Sequence, residues 1–180
     1  MAQDNGYVHG LTIVHTGNGK GKTTAALGLS IRAWGEDLKV LILQFIKGGW
    51  KYGELKALEK FAPDITIKQC GEGFTRRNNT DIKKHQESAM KALDKAKEEM
   101  MNNHWDMIIL DEINYAVDFN LIPVEKVLDL IENKPDKLHL VLTGRNAKEE
   151  IIAKANLVTE MKEIKHPFKE GIKAQKGIEF

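Results

Sequence analysis

The run Thr16-Gly17-Asn18-Gly19-Lys20-Gly21-Lys22-Thr23-Thr24 brings together glycines, lysines and hydroxyls at a spacing suited to gripping a polyphosphate. Closely packed anionic oxygens must be met by many backbone N–H groups, and only a glycine-rich turn lets the backbone wrap that tightly. Lys22 adds a cation and Thr23 a hydroxyl for a metal ion. A helix starting here would aim its positive N-terminal end at the same anion. The apolar stretch Leu11 to Val14 precedes the run and the helix-like Ala25 to Trp34 follows it, which is the strand–loop–helix context a phosphate loop requires. The first consensus glycine falls on Thr16, with a glycine at Gly17 instead, and that departure narrows the family.

A second chemical element is Met107-Ile108-Ile109-Leu110-Asp111-Glu112, an apolar strand ending in two acids. In a parallel sheet the ligand lies beyond the carboxyl ends of the strands, so these carboxylates arrive beside the phosphate loop. One or two carboxylates with phosphate and water suit magnesium, a hard cation. Successive strand residues point to opposite faces, so Asp111 and Glu112 are expected to take different parts. One holds the metal directly or through water, and the other orients water or a neighbouring group. A hydrolytic or phosphoryl-transferring enzyme would need a positioned water or acceptor hydroxyl. A non-enzymatic switch would instead read ATP through moving loops such as Lys47 to Tyr52. The nucleotide-site residues alone leave these readings open.

The elements that must position these groups alternate along the chain. Strands are expected at Leu11–His15, Val40–Ile46, Ile65–Gln69, Met107–Asp111, Leu138–Thr143 and Leu157–Met161. Helices are expected at Lys22–Trp34, Glu54–Phe61, roughly Thr80–Asn102, Val124–Glu132 and Ala147–Lys154, with Pro123 placed to begin one and Gly35 to end one. The alternation predicts an α/β, phosphate-loop (RecA-like) three-layer fold: a mostly parallel sheet of about six strands with helices on both faces. No repeat or linker divides the 180 residues, so a single domain over 1–180 is expected, with 1–9 as a flexible N-terminal segment. The Lys/Glu-rich face from Lys83 to Glu99 reads as solvated surface.

Lys and Arg number 27 against 26 Asp and Glu, a net charge of +1, so no global field points to nucleic acid or an anionic membrane. The lone Cys70 excludes an internal disulfide framework and reads as a small buried side chain. His85, His104 and His139 show no metal-ligand spacing. No apolar run reaches spanning length, and Met1 to Gly10 is polar rather than a signal peptide, so the expected location is cytoplasmic.

The chain resembles the phosphate-loop family of ATP:corrinoid adenosyltransferases from about Gly10 to Phe180. The resemblance is carried by Thr16 to Ala26, by Gln44-Phe45-Ile46-Lys47-Gly48 with Gly53-Glu54, by Gly73-Phe74-Thr75 and by Leu110-Asp111-Glu112. It continues in Thr143-Gly144-Arg145, in Lys165-His166-Pro167-Phe168 and in Gly171-Ile172-Lys173-Ala174-Gln175-Lys176-Gly177-Ile178-Glu179. It implies that Co(I) of a corrinoid, as substrate, attacks the 5′ carbon of ATP and releases intact triphosphate, with ATP turned round relative to ordinary phosphate-loop enzymes. It further implies that Gly17, Asn18, Gly19, Lys20, Gly21, Lys22, Thr23 and Thr24 grip the nucleotide. Thr23 and Glu112 match the magnesium-side residues with Asp111 as neighbour, and Arg145 matches an arginine near the phosphates.

Phe74 matches an aromatic wedge that displaces the lower axial donor of cobalt and so eases its reduction. Where the family often has a second aromatic, this chain has Arg76. The resemblance places the C-terminal region, including Lys173, Gln175 and Phe180, close to the active site. It also implies a homodimer, an N-terminal segment able to cover the corrin, and a reduced flavin or flavoprotein as electron donor.

Overall fold

A computed structural model describes residues 9–49, 52–73 and 82–179. Six strands form one sheet: β1 (Thr12–Thr16), β2 (Val40–Gln44), β3 (Ile65–Gln69), β4 (Met107–Asp111), β5 (His139–Thr143) and β6 (Leu157–Glu160). Their order is β3-β2-β4-β5-β1-β6, and every neighbouring pair is parallel. The expected sheet is therefore present and wholly rather than mostly parallel. Parallel strands covered on both faces read as unbroken apolar runs, and Val40-Leu41-Ile42-Leu43, buried throughout, is such a run.

Helix α1 (Lys22–Trp34) covers one face, where its Ala26 and Ala33 pack with Ile13, Ile42, Ile109 and Val141. The other face packs Val14, Leu41, Leu43, Ile108, Leu110, Leu140 and Leu142 against α3 (Ile82–Met101) and α5 (Val124–Glu132). The short α2 (Gly53–Leu58) passes into a 3₁₀ turn at Glu59–Phe61, and α6 (Glu149–Lys154) precedes β6. One helix carries no forecast: α4 (Ile113–Asp118), directly after the acid-bearing strand. Gly35 does end α1, but in right-handed geometry, and the left-handed residue beyond it is Asp37 (φ 62°).

Helix α3 turns Ala89, Leu93, Ala96 and Met100 inward, at the three-to-four spacing of a buried stripe. Its Lys/Glu face is solvated except at Glu99, which is buried. The Glu99 carboxylate accepts from Trp105 Nε1 at 2.9 Å and Asn102 Nδ2 at 2.8 Å, with Lys95 at 3.2 Å and Lys68 at 3.5 Å. The Trp105 indole first, then Asn102 and Lys95, hold its carboxyl down at about 2 against the opposing effect of burial. No described helix is long and apolar enough to cross a membrane.

Candidate nucleotide site

The phosphate-loop strand β1 and the acid-bearing β4 are separated only by β5, so the carboxyl ends of all three deliver their residues to one place. Between Thr16 and Lys22 the loop turns on Gly17 (φ 94°) and Gly21 (φ 107°), left-handed conformations that an L side chain strains to adopt. Contact with the chain leaving β6 also demands glycine. A Cβ on Gly17 would lie 2.5 Å from the Met161 carbonyl oxygen and one on Gly19 2.7 Å from it, while Gly19 N donates to that oxygen at 2.6 Å. Thr16, where the consensus has glycine, accepts the Ala147 N–H on its hydroxyl at 3.1 Å and ties the loop to the start of the α6 region.

Lys22 Nζ donates to the carbonyls of Gly17 at 2.8 Å and Gly19 at 2.7 Å, which uses two of its three protons and holds the ammonium over the loop. The residue is buried, and burial keeps its ammonium below the usual pKa, partly offset by Glu112.

The two acids take different parts. Asp111, 1% exposed, is saturated: Oδ1 accepts the hydroxyls of Thr23 at 2.8 Å and Thr143 at 2.7 Å. Its Oδ2 accepts Gln44 Nε2 at 3.1 Å and lies 3.4 Å from Lys47 Nζ. Glu112 adopts φ 65° to cap α4, and its N–H donates to Thr143 Oγ1 at 3.0 Å. Burial first, then the Asp111 charge, push the Glu112 carboxyl up to about 7. Arg145 follows Gly144 (φ 131°), where a Cβ would strike the Tyr115 amide nitrogen at 2.7 Å. That close approach sets α4 against the turn carrying the arginine, and Tyr115 is fixed by stacking on Phe119 at 4.0 Å.

These groups line one cleft of about 760 Å³. Gly19, Lys20, Gly21, Lys22, Thr23, Thr24, Glu112 and Arg145 face it, whereas Gly17, Asn18 and Asp111 do not line it, Asn18 being exposed elsewhere on the surface. Lys47, Tyr52, Glu54 and Tyr115 complete the wall, and Gly177, Ile178 and Glu179 close its far side, with Glu179 paired to Lys20. Of these, the sequence placed only the Lys47–Tyr52 loop and the C-terminal region near the nucleotide or the active site, without a role for any single side chain. Lys47 and Glu54 lie in the Gln44–Gly48 and Gly53-Glu54 blocks and Gly177 to Glu179 in the C-terminal block, while Tyr52 and Tyr115 lie in none. Phe74 lies outside the described residues.

The donors suit a hard cation but do not make a cage. Among the described residues no group of three His, Cys, Asp or Glu could hold a metal unaided. Thr23 gives its proton to Asp111, which leaves its oxygen lone pairs for a cation. Glu112 adds a carboxylate, and the remaining positions would fall to phosphate oxygens and water, as magnesium prefers.

A family model described as ATP:corrinoid adenosyltransferase BtuR/CobO/CobP matches residues 8–180. The chain is 46% identical over 173 residues to a corrinoid adenosyltransferase of Sinorhizobium sp., covering 95% of this chain and 80% of the relative. It is 40% identical over 174 residues to the corrinoid adenosyltransferase of Pseudomonas aeruginosa, covering 95% and 84%. Against that of Escherichia coli K12 it is 36% identical over 180 residues, covering 100% and 89%. Among solved structures, the flagellar accessory protein FlaH of Methanocaldococcus jannaschii superposes with a TM-score of 0.53 at 13% identity, covering 87% of this chain and 73% of that one, a likeness of fold alone.

Proposed function

The chain belongs to the ATP:corrinoid adenosyltransferase family, and from that premise we propose how its cleft carries the reaction. The enzyme transfers the 5′-deoxyadenosyl group of ATP to the cobalt of a corrinoid. The observation that carries the reading is the convergence of Lys22, the α1 N-terminus, Thr23, Glu112 and Arg145 on one cleft.

ATP lies with its triphosphate on Gly19 to Thr24 and with its 5′ carbon turned outward. The substrate's Co(I) gives an electron pair to that carbon, and the bond from carbon to the bridging oxygen breaks with its pair leaving on triphosphate. Negative charge grows on the departing oxygen, where Lys22, the loop amides and Arg145 stabilise it. No protein nucleophile is required. Thr23 and Glu112 hold magnesium, with Asp111 orienting the Thr23 hydroxyl. Magnesium, when bound, neutralises charge on the leaving triphosphate.

Phe74 displaces the axial donor, so that Co(II) accepts an electron from a reduced flavin or flavoprotein. The enzyme acts in the cytoplasm as a homodimer. Lining of the cleft by Gly177 to Glu179 supports a C-terminal region beside the reacting groups.

The test is anaerobic. Protein, ATP, magnesium and chemically reduced corrinoid are mixed, and the light-sensitive adenosylated product is measured together with the phosphorus product. The expected result is product equal to triphosphate, with no ATP consumed when corrinoid is left out. Steady ADP release without corrinoid would instead make the protein a hydrolase or kinase.

A further inference from the structure

Lys47 carries its charge in the cleft wall and has no part in the reaction as described above. Its Nζ lies 3.1 Å from Glu54 Oε1, 3.4 Å from Asp111 Oδ2 and 4.8 Å from the centre of the Tyr52 ring, with the side chain only 11% exposed. Burial disfavours the charge, yet Asp111 and Glu54 more than offset it and hold the ammonium above its usual pKa. Its backbone is pinned as well. Phe45 N donates to the Asp111 carbonyl at 2.9 Å, Gly71 N to the Lys47 carbonyl at 3.2 Å, and Gly73 N to the Ile46 carbonyl at 2.9 Å. A Cβ on Gly48 would lie 1.8 Å from the Gly71 oxygen, so the strand end and the following turn are pressed together.

Asp111 has one oxygen for the site and one for support. Oδ1 takes the protons of Thr23 and Thr143, and contacts at Oδ2 hold the plane of the carboxylate in which both are reached. Two groups reach Oδ2, the Gln44 amide and the Lys47 ammonium. Among the described residues Lys47 is the only cation within ion-pair distance of Asp111. Without it a buried carboxylate would be left to neutral partners, a strongly unfavourable arrangement that rotation toward the cleft relieves. Rotation would take Oδ1 off Thr23 and leave that hydroxyl free to turn.

We infer that Lys47 is a positioning residue for adenosyl transfer: it locks Asp111 through Oδ2 so that Thr23 presents oxygen lone pairs to the nucleotide-bound cation. Through Glu54 it ties this alignment to α2, which also lines the cleft. The inference rests on the cleft being an ATP–magnesium site. Outer partners of metal ligands commonly tune metal affinity by about 10–100-fold.

The experiment titrates ATP into the full chain without corrinoid, once with magnesium and once with excess EDTA, for wild type, Lys47→Met, Lys47→Arg and Glu54→Gln. Melting temperatures are recorded alongside. In wild type, magnesium tightens ATP binding. Lys47→Met is expected to lose about 10-fold or more of that tightening while affinity in EDTA changes by less than about 3-fold. Lys47→Arg restores most of it, and Glu54→Gln loses about 3-fold. A merely structural lysine would lower the melting temperature and leave the ratio of the two affinities unchanged, which overturns the inference.

An equal loss with and without magnesium would make Lys47 a direct phosphate contact and also overturn it. Should Lys47→Met fail to fold, Glu54→Gln and Lys47→Arg decide on the same ratio. Absence of any magnesium effect in wild type would instead remove the ATP–magnesium reading on which the inference stands.

Discussion

Two regions face each other across the cleft, and they are built by opposite means. At the carboxyl ends of β1, β4 and β5 the polar groups are buried and bonded: Lys22 to two carbonyls, Asp111 to two hydroxyls, an amide and an ammonium. The stretch from Met161 to Glu179 has no strand and one 3₁₀ turn, Pro167–Glu170. It reaches the loop through the Met161 carbonyl and Glu179, while Ile164, Phe168 and Ile178 remain 84%, 79% and 80% exposed. One side is fixed before any ligand arrives, so phosphate meets dipoles and charges that need not reorganise. The other keeps large apolar side chains in water, and its arrangement depends on few contacts.

The largest effect should come from the fixed side. Lys22→Ala is expected to lower turnover by roughly 10²–10³-fold with pre-reduced corrinoid, because it removes charge stabilisation at the leaving group. Turnover within a few fold of wild type would show that the preorganised side is not where catalysis resides.

A smaller effect separates the regions by stability. Gly17→Ala strains a left-handed residue and drives a Cβ to 2.5 Å from the Met161 oxygen, so a loss of about 3 kcal/mol is expected from the urea midpoint. Gly177→Ala, at φ 81° with open space around it, should cost only about 1–2 kcal/mol. Equal losses would mean that the tail is as rigidly seated as the loop.

Glu99 sharpens the comparison from outside the cleft, since it is a buried and well-bonded carboxylate with no ligand to serve. Glu99→Gln should cost about 2 kcal/mol of stability at pH 7, after allowing for solvent screening, and leave turnover unchanged. Its folded pKa, about 2, lies below the ordinary 4.5, so its contribution is full above about pH 4.5. It fades as pH falls toward 2. Acid titration of wild type against Glu99→Gln, followed by melting temperature, checks this: the two curves should converge in acid.

The loop and the acids could be read from sequence because their chemistry is local: glycines, Lys22 and Thr23 lie within a few residues, and Asp111 ends an unbroken apolar run. The helix α4 could not, since it is six residues long and starts from a glutamate in left-handed geometry, a conformation no propensity favours. Strand ends shifted by one or two residues, as at Val40–Gln44 against the forecast Val40–Ile46, because neighbouring strands set where pairing stops. Lys47 and Thr143 were visible as residues but not as partners of Asp111, because only the sheet order brings β2, β4 and β5 side by side. Thr16 looked like a departure from the phosphate-loop pattern. Its hydroxyl is in fact spoken for by Ala147.

The place of β1 in the sheet governs when the enzyme can come into being. Its neighbours on both sides are β5 and β6, residues 139–143 and 157–160, although β1 itself spans Thr12–Thr16. During synthesis the phosphate-loop strand is made long before β5 and β6 and waits with both edges unpaired until they follow. Loop closure over such separations slows folding, and an unpaired apolar strand is a template for association with other chains. A cleft that needs β5 beside β1 cannot bind ATP before β5 is made, so ATP gives the waiting strand no protection.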